Sequence, residues 1–101
     1  ALAVTADVGS DSDVARAWKE SSGLGSCAYL VNNAGPAMVS ELPFHDSLAL
    51  AIGSMYRVTT SWLETQGTAP ASVVNMSSVL GNFQGGTGQA FYPTAKAGIA
   101  V

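Results

Sequence analysis

Charge is what this sequence has least of. Only 11% of its 101 residues are Asp, Glu, Lys or Arg, against roughly 25% in an ordinary soluble domain. The four basic residues, Arg16, Lys19, Arg57 and Lys96, are scattered and the net charge is −3, so there is no basic stripe for a nucleic-acid backbone. Cysteine is nearly absent: the single Cys27 leaves no internal disulfide and no cysteine-built zinc site, and a reducing, cytoplasmic setting fits best. Within its apolar run, Cys27 is expected to be a small buried hydrophobe. No apolar stretch reaches the ~20 residues of a membrane-spanning helix, and no basic segment followed by an apolar core marks a secretion signal. The lone His45, beside Asp46 and near Glu41, matches no metal-ligand spacing and reads as a solvated loop histidine.

Apolar side chains, by contrast, make up 48% of the chain. So much apolar surface needs cover, from neighbouring strands and helices, from an oligomer partner, or from both. Ala1 stands inside a strand-like run, and Ala97 to Val101 is an apolar helical pattern with no capping residue. The expectation is therefore that residues 1–101 are a fragment of one larger domain.

Along the chain, Ala1 to Thr5 reads as a short strand leaving through Asp7-Val8-Gly9. Ser10 to Asp13 offers capping and acidic residues for a helix whose narrow stripe is Val14, Ala17 and Trp18, broken by Ser21 to Gly25. Cys27 to Val31 is a continuous apolar run of the kind found in strands buried on both faces of a parallel sheet. It ends in Asn32-Asn33-Ala34-Gly35-Pro36. A long helix should follow a cap at Asp46 or Ser47, with Leu48, Ile52, Met55, Thr59 and Trp62 on one face. Trp18 and Trp62 are expected to pack on their helix faces. Ser72 to Met76 forms a third strand around Val73 and Val74, with Ser77-Ser78 at its carboxyl end. Gly81 to Gly88 is a glycine-rich loop. The last helix should begin near Tyr92, because Pro93 is tolerated only in a first helical turn. Strands alternating with helices predict an α/β fold with a doubly wound parallel sheet, here three strands and three helices of it.

In such sheets ligands bind outside the carboxyl ends of the strands. Asn32 to Gly35 and Ser78 fall at two of those ends, and Tyr92 and Lys96, four apart, share a helix face. Taken singly, Ser78 could merely end a strand, Tyr92 and Lys96 could be a surface pair, and Asn32 to Gly35 could be a turn. Together they describe an acid/base centre. A lysine ammonium about 4 Å from a phenol favours the phenolate by roughly 4 kcal/mol at an effective dielectric of 20. Ser78 could share negative charge that develops on a substrate oxygen. This chemistry suits interconversion of carbonyls and alcohols.

Through Asn32-Asn33-Ala34-Gly35, Ser78-Val79-Leu80-Gly81 and Tyr92-Pro93-Thr94-Ala95-Lys96, the chain resembles the short-chain dehydrogenases/reductases over essentially its whole length. The resemblance implies a Rossmann-type NAD(P)-binding domain and hydride transfer between a nicotinamide, NAD or NADP, and a small-molecule carbonyl or secondary alcohol. It implies Tyr92 as general acid/base, Lys96 as the residue that lowers its pKa and bonds the nicotinamide ribose, and Ser78 as donor to the substrate oxygen. Asp7 and Val8 would border the adenine, and Asn33, Ala34 and Gly35 would border the cofactor while bracing the central strands. A homodimer or homotetramer is implied for the full-length protein. The Gly-rich phosphate loop would precede Ala1 and much of the substrate pocket would follow Val101, so the fragment alone is expected to be inactive. One position departs from the family: Ala51 stands where an asparagine usually supports a proton relay. A dinucleotide-binding sensor or scaffold without turnover is the alternative, while a sugar-nucleotide epimerase shares the Tyr/Lys pair but not the Asn32 to Gly35 sequence.

Overall fold

The computed structural model describes residues 1–35, 37–82 and 90–100. Helix α1 spans Asp11–Ser21, and its start is dictated locally: the Ser10 hydroxyl accepts from the Asp13 N–H, with Asp11 and Asp13 in the first turn. Both devices satisfy or complement the unpaired N–H groups of a helix start. A 3-10 turn, Ser22–Leu24, ends it, and Gly25 leaves at φ 103°, a conformation that favours glycine.

Strand β1, Tyr29–Asn32, pairs in parallel with β2, Ser72–Asn75, in the register Tyr29 to Ser72 and Asn32 to Asn75. Between them runs α2, Phe44–Leu63, a strand-helix-strand crossover. Helix α3 is a single turn, Val79–Asn82, and α4 spans Phe91–Ala100. Pro93 sits in the first turn of α4, where its missing N–H leaves no bond unmade.

The α/β class stands, with two paired strands and four α-helices described. Ala1 to Thr5 makes no ladder. Leu2, Val4, Ala6 and Val8 do face one groove with Val14, Ala17, Trp18 and Val58, the period-two alternation of a strand. A strand also needs a hydrogen-bonded neighbour, and Arg16 donates to Thr5 O at 2.7 Å instead. Strand β1 is not buried on both faces: Leu30 is buried, whereas Tyr29 is 77% and Val31 60% exposed. Cys27 is exposed, not buried, because it precedes the paired residues and lines an open cleft with Trp18, Ser22 and Thr65. Helix α2 starts two residues before Asp46, after Pro43 and without a side-chain cap, so His45 belongs to its first turn and pairs with Asp46 at 2.9 Å. Gly81 lies in α3, while residues 83–88 of the expected glycine-rich loop lie outside the described residues, as do Pro36, Gln89 and Val101.

Few large side chains are buried. Among the described residues the buried apolar ones are Val14, Leu30, Ala51, Trp62, Phe91 and Ala95. The accessible surface, 6647 Å², exceeds the roughly 5,300 Å² expected of a self-contained protein of this mass. On α2 the residues that vanish from the surface are Ser47, Ala51, Ser54 and Trp62. The predicted face of Leu48, Ile52, Met55 and Thr59 is only half-buried, because small residues allow the closest approach. Trp62 also bonds across the fold, donating Nε1–H to Cys27 O at 2.8 Å, which ties the end of α2 to the approach to β1. Trp18 is half-buried, and its indole nitrogen is buried without a partner.

Candidate active site

The carboxyl ends of β1 and β2 are locked together by an amide. Asn32 Nδ2 donates to Asn75 Oδ1 and to Thr59 Oγ1, each at 2.8 Å. One side chain thus joins both strand ends to α2, and the Met76 N–H donates to Asn32 O at 3.0 Å. Beyond this clamp, Asn33, Ala34 and Gly35 are exposed. A Cβ added to Gly35 would meet nothing within 4 Å, so the backbone there is open to a ligand.

Two adjoining clefts run past these residues. Val8 lines the first with Asn33, Ala34, Ser54 and Val58. Tyr92 and Lys96 line the second with Ala34, Gly35, Ala51 and Met76. The predicted residues Val8, Asn33, Ala34, Gly35, Tyr92 and Lys96 therefore lie along one continuous strip. Asp7 stands at its end, exposed, and its carboxylate accepts from the Gly9 N–H at 2.8 Å. Ala51 is 3% exposed, and its carbonyl accepts from the Ser54 hydroxyl at 3.3 Å.

The Lys96 ammonium lies 5.8 Å from the centroid of the Tyr92 ring, within the range of a cation–π contact. It donates to Met76 O at 2.8 Å, so a carbonyl at the end of β2 anchors it. Phe91 is 2% exposed and meets the Tyr92 ring edge-on at 6.3 Å, fixing one side of the phenol. Ser78 is half-buried, two residues beyond Met76, and its oxygen accepts from the Leu80 N–H at 3.3 Å. It does not line the cleft shared by Tyr92 and Lys96.

Sequence reasoning missed three participants. Met76 acts through its carbonyl, which carries no signature in the side-chain alphabet. Ser77 donates to Lys96 O at 2.6 Å; the Ser77-Ser78 pair at a strand end was the available signal. Gly81 lies so close to α4 that an added Cβ would fall 2.5 Å from Ala97 N and 2.7 Å from Lys96 C. Glycine is required there by contact and not by backbone angle.

A phenol beside an ammonium, further hydrogen-bond donors and an open backbone at the strand ends can bind a polar ligand. The whole chain, residues 1–101, matches the family described as short chain dehydrogenase. Among solved structures, the chain is similar to a short chain dehydrogenase from Mycobacterium smegmatis, with a TM-score of 0.80 and 28% identity over 95% of this chain and 43% of that one. It is also similar to RhlG of Pseudomonas aeruginosa, solved as an NADP active-site complex, with a TM-score of 0.72 and 26% identity over 91% and 41% of the two chains. A third likeness, to a structure from Brucella melitensis 16M titled ribose-5-phosphate isomerase, has a TM-score of 0.74 and 25% identity over 95% and 40%. The chain thus spans about two fifths of the length of the structures it matches. No curated protein matches it.

Proposed function

The chain belongs to the short-chain dehydrogenase family, and from that premise we propose that its full-length protein is an NAD(P)-dependent oxidoreductase. It would interconvert a small-molecule carbonyl and a secondary alcohol, with Tyr92 as general acid/base. The single observation that carries this reading is the alignment of Tyr92 and Lys96 with Ala34 and Gly35 around one cleft at the strand ends. That is where an open parallel sheet binds its ligands.

The residues present fit one part of a nicotinamide dinucleotide. The open backbone at Gly35 and the exposed Asn33 and Ala34 accommodate a ligand lying across β1, and Val8 extends the same strip toward Asp7. Lys96 would hold the ribose next to the nicotinamide, and Asp7 and Val8 would border the adenine. When bound, the cofactor supplies or accepts the hydride. Tyr92 Oη then gives its proton to the substrate oxygen during reduction and takes it back during oxidation. Lys96, held near the ring by Met76 O, would place a positive charge beside that exchange. Ser78 would donate a hydrogen bond to the same substrate oxygen; its oxygen accepts from the Leu80 N–H, which leaves its own proton to give.

Ala51 leaves a methyl group in this cleft and weakens or reroutes proton exchange with bulk water without abolishing hydride transfer. Introducing an amide by Ala51→Asn in the full-length protein should change the rate or its pH profile, and an unchanged profile would contradict the assignment. For assembly, the exposed Leu50, Tyr56 and Leu63 of α2 support a homodimer or homotetramer. Among the described residues, no helix is long and apolar enough to cross a membrane.

The test is turnover. Full-length protein offered NADH or NADPH with a panel of small ketones and aldehydes should consume reduced nicotinamide with at least one pair. Tight dinucleotide binding with no turnover across the panel would favour the sensor or scaffold reading instead.

A further inference from the structure

We infer that Ser77 is a positioning residue that locks the Lys96 turn of α4 onto the strand end carrying Ser78; this rests on the reading of Tyr92 and Lys96 as the proton-transfer pair. Three contacts converge on Lys96 from one short segment. Met76 O accepts from its ammonium at 2.8 Å, the Ser77 hydroxyl donates to its carbonyl at 2.6 Å, and the Gly81 backbone passes so close that no Cβ fits beside its Cα–C unit. Ser78 lies between the second and third of these.

The consequence is geometric. Ser78 and the Tyr92/Lys96 pair sit on different elements, joined by residues 79–90, and a connection of that length does not by itself fix their separation. Contacts between the segments must do so. The Met76 contact is made by a flexible four-carbon side chain and tolerates movement of the backbone. The Gly81 contact prevents closer approach but not separation. The Ser77 hydroxyl is the directional bond from backbone segment to backbone segment, and it is part-buried, where competition from water is reduced. Without it, α4 stays packed through Phe91 and Ala95, but the Lys96 turn loses its directional tie to the end of β2 and with it the fixed placing of Lys96 beside the Tyr92 ring.

The experiment uses the full-length protein carrying Ser77→Ala or Ser77→Thr. Amide hydrogen exchange across α4, melting temperature and turnover are measured in parallel. Ser77→Ala should raise exchange in the Lys96 turn and lower kcat roughly tenfold with little change in KM for the carbonyl substrate, within the loss a small misplacement produces. Ser77→Thr keeps the hydroxyl and should restore both. A merely stabilising hydrogen bond would lower the melting temperature and leave kcat in place, and that result overturns the inference. So does a lowered kcat that Ser77→Thr fails to restore. If Ser77→Ala does not fold, Ser77→Cys, similar in size and a weaker donor, is read in the same way. A wild type that turns over nothing while Ser77→Ala still raises exchange in the Lys96 turn would sink the proposed reaction and leave the positioning role standing. An active wild type whose exchange and kcat are unmoved by Ser77→Ala would do the reverse.

Discussion

Around Ala95 the chain is held by small side chains fitted together, whereas around Asp13 it is held by charges at the surface. On the α4 side, Ala51, Ser54 and Ala95 are buried and Gly81 meets the backbone of Lys96 and Ala97 with no room for a methyl group. On the α1 side, Asp13 accepts from the Asp7 N–H at 2.8 Å, and Arg57 joins α2 to Asp11 and to Val8 O. The apolar groove beneath residues 2–8 is only partly filled, and Leu2 remains 49% exposed. Steric fit sets positions within tenths of an ångström, while surface charge sets them loosely and responds to salt and acid. Tyr92 and Lys96, proposed to handle the proton, lie on the tightly fitted side, and Asp7 and Val8, expected on the adenine side, on the loosely held one.

The largest effect is expected at the end of α2, where burial and a hydrogen bond coincide and which serves as the reference for both sides. Replacing the fully buried Trp62 with alanine removes both its volume and its bond to Cys27 O. The Trp62→Ala protein should lose about 3–5 kcal/mol of stability in denaturant titration. Gly81→Ala tests the α4 side by overfilling it. Its Cβ would fall 2.5 Å from a backbone nitrogen, which cannot swing away as a side chain could, so a loss of about 1–3 kcal/mol is expected. A neutral result would mean that α3 yields freely and that the fit is not tight.

The charged side should answer to acid. The Asp7 N–H, and after it Arg16, holds the Asp13 carboxyl below its ordinary value of 3.8. A group with a depressed folded-state value stabilises fully above its unfolded value, and the contribution is lost as pH falls through the folded one. The melting-temperature gap between wild type and Asp13→Asn should therefore be constant near neutrality and close only below about pH 4. Because Asp13 is solvent-screened, the gap should be the smallest effect of the three, and one that widened with acid would reverse the assigned cause.

What could be read in advance divides along physical lines. The start of α1 was legible because Ser10, Asp11 and Asp13 act within one turn of themselves. Tyr92 and Lys96 were legible because a spacing of four fixes a shared helix face. The Ala1 to Thr5 strand was not, since its side chains alternate as expected but a ladder depends on a neighbour far away in sequence. Cys27 was misread for a related reason, because burial depends on what packs over a residue and not on the apolar run around it. Met76 and Ser77 were hidden because one acts through a carbonyl and the other through a contact with a helix 19 residues on. The resemblance to a family named the candidate site residues, and only the structure exposed what braces them.

The central claim is that Tyr92 moves the proton. The most direct measurement is single-turnover oxidation of reduced nicotinamide by the full-length protein and its Tyr92→Phe variant, with cofactor affinity measured separately by fluorescence. The account predicts that the variant binds cofactor nearly as wild type does and loses roughly 10²- to 10⁴-fold in rate, the scale of general acid catalysis. A Tyr92→Phe protein that turns over at the wild-type rate would contradict it.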